Sequence, residues 1–405
     1  MIRNTHDVRP AHMKTTGLRR QPPGELTVRI PLATCADEAL RRLVKSTGAE
    51  ALQSLDGDTL LGERATLRGM RVPGRICAGG GCRLLAAAGD TIALNLARAS
   101  DRELLPALFE TDQLNTSDDD EIASWVARSD AGALLARGRA MGLAIAAENE
   151  RRTDASGLAP WVELSSGPPA QQRTGRPPRV LDLSALWAGP LAGHLLWLAG
   201  AEVTKLESRT RPDAMRTGDP TFHALLNQGK RSIVLDLTDT ADRHALLELV
   251  KQSDIVIEAA RPRALAQLGI EAEQIVHHTP GLVWVSITGH GARGAAANWV
   301  GFGDDCGVAG GLSAALRAAT GRTGFVGDAI ADPLTGIFAA LAAWEAWQHG
   351  RGGRFGLAMS DVVAHCLAAA RRADPAALEV TLQSWAAAEG QSFPPTRRRP
   401  IRVVR

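Results

Sequence analysis

In the run "GFGDDCGVAGG", Gly301 to Gly311, two carboxylic acids and a thiol stand side by side where glycine lets a ligand approach the backbone. Asp304 or Asp305 can act as a nucleophile toward an activated carbonyl, and so can Cys306. Asp pairs in such loops also form turns or bind metals, and a cysteine there also fills a small buried apolar position. In "NQGKRSIVLDL", Lys230 and Arg231 precede a strand-like run, where two cations suit either a phosphate-bearing ligand or the solvent. Arg261 and Pro262 follow the apolar run Ile255 to Glu258, at the strand end where ligands settle in parallel sheets. Tyrosine is absent, which removes any mechanism that needs a phenol. Cys77 and Cys82 in "CAGGGC" are too far apart for a C-x-x-C pair, and the ten histidines show no H-E-x-x-H spacing, so the spacing predicts no metal site. The pair His277-His278 is expected to be exposed.

These residues need a scaffold, and the pattern after Arg179 supplies one. Strands are expected at Arg179 to Leu183, Glu202 to Glu207, Ser232 to Asp236, Ile255 to Glu258 and Leu282 to Thr288, with helices at Leu191 to Ala199, Ala241 to Gln252 and Ala264 to Leu268. Asp332 to His349 reads as a long core helix with Pro333 in its first turn. Alternation of this kind implies right-handed βαβ crossovers and an open, mostly parallel, Rossmann-like sheet, an α/β domain over residues 179–370. Residues 30–163 read as a second, smaller α+β domain: helical spacing at Ala36 to Lys45 and Ser129 to Asn149, and a hairpin over Cys82 to Asn95 that turns at Gly89-Asp90. Residues 164–178, crowded with Pro, Gly and Ser, are expected to be a linker. Residues 1–29 read as a flexible arm, and residues 371–405 as a helix and a basic tail carrying Arg397, Arg398 and Arg399.

The 405 residues bury at least one substantial core, and 46 basic against 44 acidic residues leave a net charge of +2. That balance points to neither nucleic acid nor an anionic membrane. The stretch Leu183 to Ala201 lacks charged residues, but Pro190, His194 and several glycines interrupt it, so it reads as strand, turn and helix rather than a membrane span. Five cysteines with no secretory signal predict free thiols and a cytoplasmic protein. The first βα turn, "SALWAGPLAG", has Gly189 and Gly193 but Pro190 where a G-x-G-x-x-G fingerprint wants glycine, which argues against a nicotinamide cofactor.

Taken in order, "RVLDLSALWAGPLAGHLLWLAGAEVTKLES", "LNQGKRSIVLDL", "SDIVIEAARPRALAQLGI", "PGLVWVSITGHG" and "GDAIADPLTGIFAALAAW" resemble the class III CoA-transferases, the CaiB/BaiF-type family that includes formyl-CoA transferase, carnitine CoA-transferase and α-methylacyl-CoA racemase. "AGGGCRLLAAAGDTIALNLARASDRELLPALF" is similar to the small-domain segment that the family carries after this core, so its order here is permuted. The resemblance implies an acyl-CoA donor and a carboxylic acid acceptor as substrates, no tightly bound cofactor, and a homodimer, often interlocked. It implies CoA contacts at Ala188, Gly189, Pro190, Arg216, Asn227, Lys230, Arg261 and Pro262. In transferase members an aspartate attacks the thioester, giving a mixed anhydride and then an aspartyl-CoA thioester. Without gaps that aspartate falls at Gly303; one- and two-residue slips bring in Asp304 and Asp305, with Asp304 the leading nucleophile and Asp332 a supporting acid. Racemase members place a His directly before the Asp, and Gly303 stands there instead. A CoA-binding relative without turnover, a racemase and an NAD-dependent oxidoreductase are the alternative functions.

Overall fold

The computed structural model describes residues 28–150, 159–170, 175–260 and 262–396. The expected N-terminal arm, the Arg397 to Arg399 tail and Arg261 lie almost wholly outside these residues.

Strands β1 (Cys82–Ala87), β2 (Asp90–Asn95) and β3 (Ala144–Ala147) form an antiparallel sheet in the order β1-β2-β3. The hairpin reverses at Gly89, whose φ of +91° is open to glycine at no steric cost. This sheet packs on short helices around Leu94, Leu108, Ile122, Leu134 and Ile145, a core of its own. Ser129 to Asn149 is not one helix: it turns at Gly142 after helix Ala131–Met141 and then enters β3.

The large sheet contains β4 (Val162–Gly167), β5 (Arg179–Asp182), β6 (Glu202–Ser208), β7 (Arg231–Leu235), β8 (Ile255–Glu258), β9 (Val283–Thr288) and β10 (Gly352–Ala358). Its order is β4-β10-β9-β8-β5-β6-β7, parallel throughout except for β4. The fold is therefore α/β, a mostly parallel open sheet with a smaller α+β unit. Strands β8 and β9 are buried along nearly their whole length, because helices cover both faces of a parallel sheet. Helices Ala188–Leu198 and Ala331–Gln348 pack on one face, and Leu246, Val250 and Val276 come from helices on the other. The order of connection reverses between β5 and β8, which opens a crevice at their carboxyl ends.

Two expectations need correction. Leu164 to Gly167 belongs to β4, which hydrogen-bonds antiparallel to β10, so the start of the expected linker is sheet edge. Helices Ala33–Thr47 and Gly57–Arg68 do not join the small sheet: Ala36, Leu40, Leu43, Leu60 and Leu61 lie in the same core as Leu334 and Leu341 of the long helix. Their periodicity predicts a buried face but not which partner covers it. Among the described residues no helix is long and apolar enough to cross a membrane.

Candidate active site

The sheet's reversal point carries a cavity of about 260 Å³. Ala185, Leu186, Ala188 and Gly189 line it from beyond β5, Ala259 and Ala260 from beyond β8, and Thr288 and Gly289 from the end of β9. Trp299 to Phe302 close another side, and Arg98 reaches in from the small unit. Among the described lining residues, Asp332 is the one carboxylic acid.

Asp332 lies in the first turn of helix Ala331–Gln348, yet its carboxylate reaches the start of a second helix, where Ala188 N–H donates to it. Helix Ala188–Leu198 has no side-chain cap, so its first N–H groups and positive dipole end face this acid. Burial pushes the Asp332 carboxyl up to about 7; the Arg64 guanidinium opposes that rise and the nearby Asp304 charge adds to it. A carboxylate poised near neutrality beside helix N–H donors can attack an acyl carbon or exchange a proton.

Backbone geometry keeps this corner open. A Cβ at Gly303 would collide with Asp332 Oδ2 and with the Ala329 carbonyl, so glycine at 303 is what admits the Asp332 carboxylate. Gly189 meets Ser184 in the same way, since a Cβ there would strike the Ser184 side chain. Leu186, in the cavity lining, and Ala329, whose carbonyl packs on Gly303, hold φ of +68° and +42°, left-handed conformations that cost a non-glycine residue.

Asp304 and Asp305 do not line the cavity. The expected glycine-rich loop is instead the short helix Gly303–Ala309. Asp305 is fully buried and accepts from Phe302 N–H at 3.0 Å and Asn95 Nδ2 at 2.9 Å. Asp304 accepts from Ala329 N–H at 3.0 Å and from the Cys77 thiol; burial and the neighbouring Asp328 push it up to about 6. Cys306 is buried.

Of the expected CoA contacts, Ala188 and Gly189 line the cavity. Pro190 is in the same turn, but its carbonyl accepts from Lys230 Nζ at 2.8 Å. Lys230 also donates to Asp182 at 2.8 Å and to Asn227 Oδ1 at 3.1 Å, with its side chain 1% exposed. Both Lys230 and Asn227 are thus committed beneath the turn rather than presented to a phosphate. Burial lowers Lys230 to about 8, and Lys205 with Lys230 holds Asp182 well below the usual carboxylate range despite its burial. Arg216, on a short helix beyond β6, pairs with Glu207 at 2.6 Å and holds that acid near 2. Pro262 opens helix Pro262–Gln267. His277 and His278 are exposed, as their polar setting predicts.

The spacing gives no hint of Arg64. Its guanidinium binds Asp328 through two bonds of 2.8 and 2.5 Å and stacks 4.8 Å from the Trp187 ring, placing a half-buried cation behind Asp332. Arg64 lies on helix Gly57–Arg68, far upstream of the large sheet in the chain, and only an Arg in an apolar helical face, "LLGERATLR", marks it in the sequence.

Residues 178–381 match the family model described as CoA-transferase family III. The chain belongs to this family. Among similar proteins, a succinate–glutarate CoA-transferase of Agrobacterium fabrum is 33% identical over 47% of this chain and 52% of its own length. A succinyl-CoA–D-citramalate CoA-transferase of Chloroflexus aurantiacus is 34% identical over 43% of this chain and 46% of its own. A solved structure of a hypothetical protein from Mycobacterium tuberculosis aligns at 29% identity and a TM-score of 0.45, covering 51% of this chain and 59% of that one. This member of the CoA-transferase family III spans about half the length of the curated relatives it matches.

Proposed function

We propose that the chain moves CoA from an acyl-CoA to a carboxylic acid, with Asp332 as nucleophile. The observation that carries this reading is the Asp332 carboxylate at the wall of the reversal-point cavity, held by Ala188 N–H and poised near pH 7. Asp332 Oδ attacks the thioester carbonyl, the C–S bond breaks, and CoA leaves as thiolate with a mixed anhydride formed on Asp332. The thiolate then attacks the aspartyl carbonyl, releasing the donor acid and leaving an aspartyl-CoA thioester. An acceptor carboxylate repeats the two steps in reverse order and regenerates Asp332. Splitting one displacement in this way lets a weak nucleophile suffice. The N–H groups at the start of helix Ala188–Leu198 are suited to oxyanion charge as it develops. Apolar residues make up most of the cavity lining, which disfavours water at the anhydride, and the relatives' names make succinate and glutarate the first acids to test. A cytoplasmic homodimer belongs to the same proposal.

The test is CoA exchange from a panel of short acyl-CoA donors into carboxylic acids, read by chromatography of the CoA esters. Exchange that requires both partners supports the reading; CoA binding without exchange across the panel contradicts it. That second outcome is the prediction of a binding relative without turnover, which Gly303 at the family's aspartate position and the internally committed Lys230 favour.

A further inference from the structure

We propose that His290, Asp305 and Cys306 form a binding site for a divalent transition-metal cation of the zinc class, behind the wall of the cavity. The three donors come from two elements: His290 follows β9, and Asp305 and Cys306 open helix Gly303–Ala309. His290 Nε2 lies 3.7 Å from Asp305 Oδ2 and 3.9 Å from Cys306 Sγ, and Sγ lies 3.9 Å from that carboxylate oxygen. A point equidistant from these three atoms is about 2.2 Å from each, within the range of zinc bonds to nitrogen, oxygen and sulfur. Imidazole, carboxylate and thiolate together are a donor set that such a cation accepts, and one carboxylate with one thiolate neutralises its two charges.

Two further observations point to a ligand between these atoms. Gly301 faces them with no side chain: a Cβ there would lie 2.5 Å from Cys306 Sγ and 2.9 Å from His290 Nε2, inside the space a coordinated ion and its fourth ligand need. Asn95 of β2 donates to Asp305 Oδ1 at 2.9 Å, orienting the carboxylate so that Oδ2 faces the histidine and the thiol, as outer partners of metal ligands do. No spacing in the sequence announces the site, because residue 290 meets 305 and 306 only through the fold.

Without metal the Cys306 thiol donates to the Gly289 carbonyl at 3.3 Å. Metal binding breaks the S–H bond, forms the S–metal bond and releases the proton to solvent, so affinity rises with pH. Gly289 and Gly301 line the cavity on their other side, and Asn95 belongs to the small sheet, so an ion here would tie the two sheets together next to the cavity without entering it.

The experiment uses the full chain, freed of metal by chelation and titrated with Co²⁺ alone. Expected are a thiolate-to-cobalt charge-transfer band saturating at one equivalent, its loss in Cys306→Ser and its retention in Cys82→Ser, another buried thiol. Asn95→Ala should keep the band with affinity weakened about 10–100-fold. Mass mapping of alkylation in urea below the unfolding midpoint, where opening of the chain exposes the buried Cys306, provides a readout that needs no variant: Zn²⁺ should slow alkylation of Cys306 and leave Cys35 reactive. Absence of the band in the folded wild type, its persistence in Cys306→Ser, or equal alkylation of Cys306 with and without Zn²⁺ overturns the proposal.

Discussion

Replacing Asp332 by Asn should remove transfer and at the same time stabilise the protein above neutral pH. The carboxyl titrates near 7 in the folded chain, against an ordinary 3.8, because burial penalises its charged form. The folded state therefore holds a proton that the unfolded state has lost between pH 3.8 and 7, so stability falls as pH rises through that window and is level above it. Two states with those titration points differ by up to ~4 kcal/mol at pH 8. Partial opening of the carboxylate onto the cavity screens this, which brings the expected difference to about 2 kcal/mol. The neutral amide of the Asp332→Asn variant carries no such cost. Urea unfolding of both proteins at pH 5 and pH 8 should show a stability gap in favour of Asp332→Asn that is small at pH 5 and grows to about 2 kcal/mol at pH 8. A gap that stays constant with pH, or a variant less stable than wild type at pH 8, would refute the claim that Asp332 is an ionisable acid held at energetic cost.

Transfer should rise about tenfold between pH 6 and 8 as Asp332 ionises, and Arg64→Met should move that midpoint upward, because Arg64 favours the charged form; a pH–rate profile unchanged in the variant would exclude this coupling. Asp182→Ala leaves Lys205 and Lys230 buried without their shared partner and should cost about 3–5 kcal/mol in urea unfolding; a loss under about 1 kcal/mol would mean that the network is solvated. Gly189→Ala forces the first turn away from Ser184 and should lower stability by about 1–3 kcal/mol while weakening CoA binding measured by calorimetry; unchanged affinity would separate this turn from the CoA site.

The sheet is legible in the sequence because its strands are short apolar runs separated by helical spacing, and Ile255–Glu258 falls where that pattern puts it. Edge strand β4 is hidden in "ELSSGPP", whose polar and breaking residues suit an edge that pairs on one side only. The Gly301 to Gly311 run reads as a loop because its glycines outweigh helix propensity, whereas close packing of Gly303 against Ala329 and Asp332 makes small residues a requirement of this helix. Lys230 reads as a phosphate ligand since a strand-mouth cation looks alike in either role; only its distance to Asp182 reveals the buried pair. Asp332 can be singled out by resemblance, but its position in the cavity depends on two helix starts meeting, one near residue 188 and one near 331, and no local pattern encodes that.

Whether Asp332 is the nucleophile is decided by treating the protein with an acyl-CoA donor, reducing the trapped aspartyl thioester with borohydride and locating the modified residue by peptide mass mapping. Reduction is expected at residue 332 and is expected to be absent in Asp332→Asn. Modification at Asp304 or Asp305, or turnover with no modified carboxylate at 332, would contradict it.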